Sequence, residues 1–205
     1  MKLIECVPNI SEGRNKGIID QIVSVIKNNS SLHLLDVDIG HDTNRTVITF
    51  IGQPDDVVDG AFNLIKKSSS LIDMSTHNGA HPRMGATDVC PFIPISDITI
   101  KDCIKYSHKL AIRLASDLNI PVYLYEKSAQ NKARINLADI RSGEYEGFSK
   151  KIKDEDWSPD YGPAIFNKKF GCIAVGVREF LLAYNINLNT TDKKIATDIA
   201  LDIRE

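Results

Sequence analysis

The chain has 205 residues, a formal net charge of −2 and a hydrophobic share of 42%. That is the balance of an ordinary globular protein, long enough for one large domain or one domain and part of another. The near-neutral charge gives no electrostatic case for a nucleic-acid partner, and no apolar run approaches the roughly 20 residues that span a bilayer.

Leu3 to Val7 is a short apolar run closed by Pro8-Asn9 and reads as a first strand. It is too short, and its Glu5 too polar, for a secretory signal. Lys16 to Lys27 carries Ile18, Ile19, Ile22, Val23 and Ile26 at helical spacing. Leu32 to Ile39 alternates as a strand, with Asp36 and Asp38 on one face and Leu35, Val37 and Ile39 on the other. His41-Asp-Thr-Asn44 turns the chain into a strand over Arg45 to Ile51. Pro54 to Ile72 is a helix, with proline in its first turn and acids near its positive end. Val89 to Ile95 is a strand, Thr99 to Leu118 a helix and Pro121 to Tyr125 a strand.

This order is the ferredoxin-like pattern, an α+β fold with helices on one face of the sheet. Ser128 to Pro163 is polar and glycine-containing and reads as loop, extended around Trp157 and Tyr161. Gly171 to Gly176 and Phe180 to Leu188 read as strands, and Lys193 to Arg204 as a helix. The last strand and helix repeat the opening grammar of the chain. Residues 1–178 are therefore expected to form one subdomain and 179–205 the beginning of a second, incomplete one. The second segment is too small to fold alone. It is expected to pack on the first subdomain or on another copy through Phe180, Leu182, Tyr184, Ile186 and Leu188.

The segment His77-Asn-Gly-Ala-His81-Pro-Arg83-Met-Gly85-Ala-Thr-Asp88 places two imidazoles, a guanidinium and a carboxylate around two glycines and a proline. No helix runs through it, and Pro82 biases His81 toward extended backbone. Such a loop holds an imidazole at a fixed place, with Arg83 beside it to meet an anion. His81 is the candidate acid–base, imidazole being suited to proton transfer near neutral pH. His33, His41 and His108 read as structural or surface residues.

A zinc site at His77 and His81 is disfavoured, because the i, i+4 motif needs a helix and a glutamate where this chain has Asn78 and Gly79. Asn9, Ser11, Glu12 and Arg14 after the first strand, Asp36 and Asp38, and Asn44 and Arg45 form a polar sheet face that either lines a ligand cleft or is simply solvated. Gly162-Pro163-Ala164-Ile165-Phe166-Asn167-Lys168-Lys169-Phe170-Gly171 is a loop whose aromatics can stack on a heteroaromatic ring and whose lysines can meet a carboxylate tail. Cys6, Cys90, Cys103 and Cys172 are widely spaced, with no C-x-x-C pair, as expected for reduced thiols in a cytoplasmic protein.

At these residues the sequence resembles the formiminotransferase domain, the folate-dependent transferase that ends histidine degradation in many organisms. The matching segments include Glu5-Cys-Val-Pro-Asn-Ile-Ser-Glu-Gly-Arg14, Leu35-Asp-Val-Asp-Ile-Gly40, Thr43-Asn-Arg-Thr46 and Leu71-Ile-Asp-Met-Ser75. His81-Pro-Arg-Met-Gly-Ala86, Asp88-Val-Cys-Pro-Phe-Ile-Pro94, Pro121-Val-Tyr-Leu-Tyr125, Gly143-Glu-Tyr-Glu146, Asp156-Trp and Asn185-Ile-Asn-Leu188 follow in the same order.

The resemblance implies transfer of a formimino group from N-formimino-L-glutamate to N5 of tetrahydrofolate, the co-substrate. It implies His81 as catalytic acid–base, Asp38 as the residue that orients substrate, and Gly162 through Gly171 as the folate-binding loop. Asn9, Arg14, Asn44, Arg45 and Arg83 are the further candidate substrate contacts, and no metal is implied. The family fold is two ferredoxin-related subdomains facing each other across a ligand tunnel, of which this chain holds the first and the opening of the second. A companion chain supplying the second subdomain and a homo-oligomer, a homodimer foremost, are the expected protein partners, with no nucleic acid and no membrane. A non-catalytic folate-binding or regulatory module remains the alternative, and formimino-glycine or formyl-glutamate remain alternative donors.

Overall fold

The computed structural model describes residues 1–181, 186 and 188–203. Its centre is a mixed sheet of β1 (Leu3–Cys6), β2 (Asn9–Ile10), β3 (Leu32–Gly40), β4 (Arg45–Gly52), β5 (Thr87–Ser96), β6 (Val122–Glu126) and β7 (Ile173–Val177). β1 and β2 are two pieces of one strand, both antiparallel to β4 on one side and β5 on the other. Pro8 has no N–H to give a ladder and separates the pieces, yet its carbonyl still accepts from the Ile48 N–H at 3.0 Å. β3 pairs outside β4, and β7 and β6 extend the other side in parallel with β5.

Three long helices, α1 (Lys16–Lys27), α2 (Pro54–Leu71) and α3 (Ile100–Leu118), cover one face of this sheet. α1 begins where the Asn15 side chain accepts from the Ile18 N–H. It buries Ile19, Ile22, Val23 and Ile26, each contributing about 1.5–3 kcal/mol. α3 begins where Thr99 Oγ1 accepts from the Asp102 N–H, and it ends at Asn119 with φ 53°, a left-handed position that asparagine tolerates. The helices meet the even positions Ile4, Cys6, Ile48, Phe50, Cys90, Phe92, Val122 and Leu124 in the main core. Cys6 and Cys90 touch there across the strands, sulfur to sulfur at 3.4 Å, and all four cysteines are buried and free.

The opposite face is half covered. The segment expected to be loop contains two short helices, α4 (Leu137–Arg141) and α5 (Glu144–Lys151). Ile140, Phe148 and Ile152 from this region form a second core with Val89, Tyr123, Tyr125, Cys172 and Ala174. Lys151 closes the end of α4 by donating to the carbonyls of Asp139, Ile140 and Ser142, and lies 3.7 Å over the Trp157 ring. Over β3, β4 and β1 the same face is open.

β3 carries a bulge between Leu34 and Asp36. It leaves Leu35 out of register and 55% exposed, while Ile39, paired with Thr46 further along the edge strand, is 46% exposed. α6 (Lys193–Asp202) buries no residue. The expected strand over Phe180 to Leu188 falls largely on positions 182–185 and 187, outside the described residues, as do 204 and 205. Phe180, Leu181 and Ile186 are exposed, so the expected packing of this segment onto the first subdomain is not found among the described residues.

Candidate active site

The loop after α2 is fixed by a series of local bonds. Met74 is buried and its N–H donates to the Lys169 carbonyl at 2.9 Å. His77 Nε2 lies 3.0 Å from the Asn44 carbonyl, and His77 Nδ1 accepts from Arg83 Nε at 3.2 Å. A carbonyl only accepts, so the ring is neutral with its proton on Nε2. Both nitrogens are thereby used, and burial lowers the pKa of this histidine.

A Cβ on Gly79 would sit 2.3 Å from the Thr43 carbonyl oxygen, so the two loops approach closer than any side chain allows. Asn44, at φ 49°, accepts from the Gly13 N–H and donates to the Asn78 carbonyl. Arg14 donates to the His41 carbonyl and to the Asn78 side chain. Arg14 and Asn44, expected near substrate, thus tie loops 11–15, 41–45 and 77–81 into one unit.

His81 follows that anchor. Its Nδ1 lies 2.6 Å from the Pro82 carbonyl oxygen, so Nδ1 carries the proton and Nε2 keeps a free lone pair. Burial, then the positive charge of Arg45, holds its pKa below the ordinary imidazole value. It lines a hollow of about 330 Å³ together with Pro82, Ala138, Arg141, Ser142, Gly143 and Glu144.

Arg83 has a different task from the anion contact expected of it. Its side chain is 8% exposed and every N–H is used, toward His77, Glu144 and Glu146. It clamps the loop to α5, and its hydrogen bond to Glu146, then the charge of both carboxylates, raises its pKa against the opposing effect of burial. No donor remains for a ligand.

A second hollow, of about 530 Å³, lies on the open sheet face beside the first. Asn9, Arg45, Val89, Pro91 and Tyr125 form its floor, and Arg141 lines both hollows. Asn9 donates to the Val7 carbonyl at 2.7 Å. Asp88 is 1% exposed, accepts from the Met84 N–H at 2.9 Å and pairs with Arg141. Asp38 pairs with Val47 across the β3–β4 ladder, on the same open face, exposed and within range of Arg45's charge.

The loop from Gly162 to Gly171 stands apart from both hollows. Phe170 is buried, while Phe166 packs at the edge of the core. Pro163, Ile165, Phe166 and Asn167 line a shallow depression with Asn119, whereas Ala164 is exposed. Lys169 donates to the Ser70 carbonyl, and Lys168 is exposed. The loop rejoins the sheet where Gly171 bridges Gly85.

The family profile described as "Formiminotransferase domain, N-terminal subdomain" matches residues 3–178. The chain belongs to the formiminotransferase family. A glutamate formimidoyltransferase of Streptococcus pyogenes serotype M1 is 46% identical over 203 residues, which are 99% of this chain and 68% of that protein. One from Thermoplasma acidophilum is 43% identical over 206 residues, 100% of this chain and 68% of that protein. A formimidoyltransferase-cyclodeaminase of Dictyostelium discoideum is 48% identical over 204 residues, 100% of this chain but 38% of that protein. The chain thus spans about two fifths of the cyclodeaminase relatives and about two thirds of the transferase relatives.

Within the family segment, sequence reasoning missed Arg141 as a site residue. It ends α4, inside the region read as loop. The signal was there, in the spacing of Leu137 and Ile140 and again of Tyr145, Phe148 and Ile152, which gives two helical stripes broken by Gly143.

Proposed function

We propose that this chain is the histidine-bearing subdomain of a transferase that moves a formimino group from N-formimino-L-glutamate to N5 of tetrahydrofolate, in histidine degradation and one-carbon metabolism. The observation that carries the reading is His81: a rigid loop, a ring proton fixed on Nδ1 by Pro82, and a free Nε2 at a hollow. The printed names of the relatives support the reaction class.

As N5 of the acceptor bonds to the formimino carbon, its proton has to leave. His81 Nε2 takes that proton, and the imidazolium gives one to the glutamate nitrogen as its bond to carbon breaks. The lowered pKa suits this role, since the resting ring is a neutral base. Proton transfer of this kind contributes typically about 10²–10⁴-fold. Asp38, from the open face of β3, orients the substrate. Tyr125, Val89 and Pro91 offer the wider hollow an aromatic and apolar wall against which a pterin ring fits. The loop from Gly162 to Gly171 holds the folate tail through Lys168 and Lys169.

In this reading residues 1–178 form the first subdomain and 179–205 lead into a second. The end of the family match at 178 and the uncovered α6 support that division. A second subdomain, in the same or a companion chain, completes the tunnel, and the assembly is a homo-oligomer. No helix among the described residues is long and apolar enough to cross a membrane, and four free buried thiols accord with a cytoplasmic setting.

Glutamate release from N-formimino-L-glutamate, measured with and without tetrahydrofolate and with a second subdomain present, tests the proposal. Release that requires the folate supports it. Folate binding without release supports the alternative, a non-catalytic binding module.

A further inference from the structure

We infer that Arg45 and Arg141 form a carboxylate clamp beside His81, which selects a dicarboxylic amino-acid substrate, with Asp88 as the strut that holds Arg141. The inference deepens the transfer reading and rests on it for the presence of substrate at His81.

Arg45 is the first residue of β4. Thr46 points to the helices, so the Arg45 side chain lies on the open face. It is partly buried, its Nε is buried without a hydrogen-bond partner, and no carboxylate lies within ion-pair distance among the described residues. The two buried arginines are ion-paired, Arg83 with Glu144 and Glu146 and Arg134 with Asp160 at 2.8 Å; the Arg134 Nε also lacks a partner, so what sets Arg45 apart is the missing ion pair. A buried cation without its counter-charge is costly, and a bound anion removes that cost.

Arg141 supplies the second arm. One end of its guanidinium is held by Asp88, while its Nε, also buried, has no partner. Asp88 has both oxygens engaged, by Arg141 and by the Met84 N–H, so it fixes Arg141 and acts on Arg45 only through space, without an ion pair. Asp38 acts on Arg45 through space, more weakly than Asp88 does, and makes no ion pair with it. Guanidinium groups meet a carboxylate in a planar, two-point geometry. Because Arg141 lines the His81 hollow as well as the larger one, a carboxylate held here borders the hollow that His81 lines. A substrate with an amide in place of that carboxylate leaves the clamp unfilled.

Calorimetric titration of this chain with N-formyl-L-glutamate, N-formyl-L-glutamine and the corresponding α-amide tests the clamp. Wild type should bind the diacid at least about 10-fold more tightly than one of the two amides. Arg45→Gln should erase that preference with the thermal melt unchanged, since no protein partner is lost. Arg141→Lys, which keeps a charge against Asp88, should weaken diacid binding while leaving the amide nearly unaffected. Retention of the full preference by Arg45→Gln, equal wild-type affinity for all three probes, or no wild-type binding at millimolar concentration would overturn the clamp. The readout is binding, so a chain that shows this pattern yet transfers nothing when a second subdomain is supplied refutes the transfer reading alone. One that transfers while Arg45→Gln keeps the preference refutes the clamp alone.

Discussion

Tyr145 joins the two loops proposed to serve the two substrates: its hydroxyl donates to the Lys168 carbonyl at 2.5 Å, and its N–H donates to the Arg83 carbonyl at 2.9 Å. This residue of α5 thus adds to the direct backbone bonds between the histidine loop and the 162–171 loop, Met74 N–H to the Lys169 carbonyl and Ala86 N–H to the Phe170 carbonyl. The loops belong to parts of the chain some eighty residues apart, and Tyr145 ties both of them to α5.

His81→Ala should lower transfer turnover by at least about 10²-fold while folate affinity stays within a few-fold. Parallel kinetics and folate titration check this. An unchanged turnover number would end the assignment of His81 as the proton carrier.

The acid limb of kcat/KM should fall below the ordinary imidazole value of about 6.5. Burial and Arg45, then Arg141, disfavour the imidazolium of His81, whereas Asp88 and the Pro82 carbonyl favour it. The base is therefore neutral at neutral pH and is lost only as pH falls through the lowered pKa. Arg45→Gln removes a positive neighbour and should move the limb upward. NMR titration of the His81 ring in both proteins gives an independent reading, and a limb that moves downward contradicts the argument.

Arg83→Met should destabilise the fold by roughly 1–3 kcal/mol in urea unfolding, the cost of leaving the His77 groups unpaired. The figure stays modest because Glu144 and Glu146 are 43% and 64% exposed and water recovers them. If stability is unchanged and substrate affinity falls instead, Arg83 is a ligand contact after all.

Much of this fold was legible in the sequence, because its long elements obey simple periodicities. Asn15, Pro54 and Thr99 mark their helix starts, and Pro8 marks the break between β1 and β2. The polar face carrying Asp38 and Arg45 followed from alternation along β3 and β4. What did not follow is tertiary. Whether Arg83 or Arg141 faces a hollow depends on which carboxylates the fold brings near each: Glu144 and Glu146 of α5 reach Arg83, and Asp88 of β5 reaches Arg141, both across more than fifty residues of chain. The bulge at Leu34 to Asp36 was likewise hidden, since an edge strand lacks the second neighbour that would enforce its register.

Asp38→Asn should weaken substrate binding or turnover by roughly 10-fold, about 1.4 kcal/mol, without lowering the melting temperature. Asp38 is exposed and makes no ion pair among the described residues. Wild-type values for both parameters would make it a solvated strand residue.

Replacing Lys168 and Lys169 by alanine should weaken polyglutamyl folate more than monoglutamyl folate, and added salt should blunt the difference. The loop keeps its anchors through backbone groups, the Lys168 and Lys169 carbonyls, so its shape should survive. Equal losses for both folates would instead indicate a general disturbance of the loop.

The four thiols give this protein a built-in record of how it opens. Cys6, Cys90 and Cys103 lie in the core under the long helices, whereas Cys172 lies in the smaller one under α4 and α5. Burial raises the pKa of Cys6, Cys103 and Cys172, so a thiol reagent reads local unfolding rather than surface chemistry. If the short helices detach as a unit while the main layer holds, Cys172 is labelled first and alone. The same loss carries Arg141 away from His81, so labelling at one sulfur would time the disassembly of the hollow.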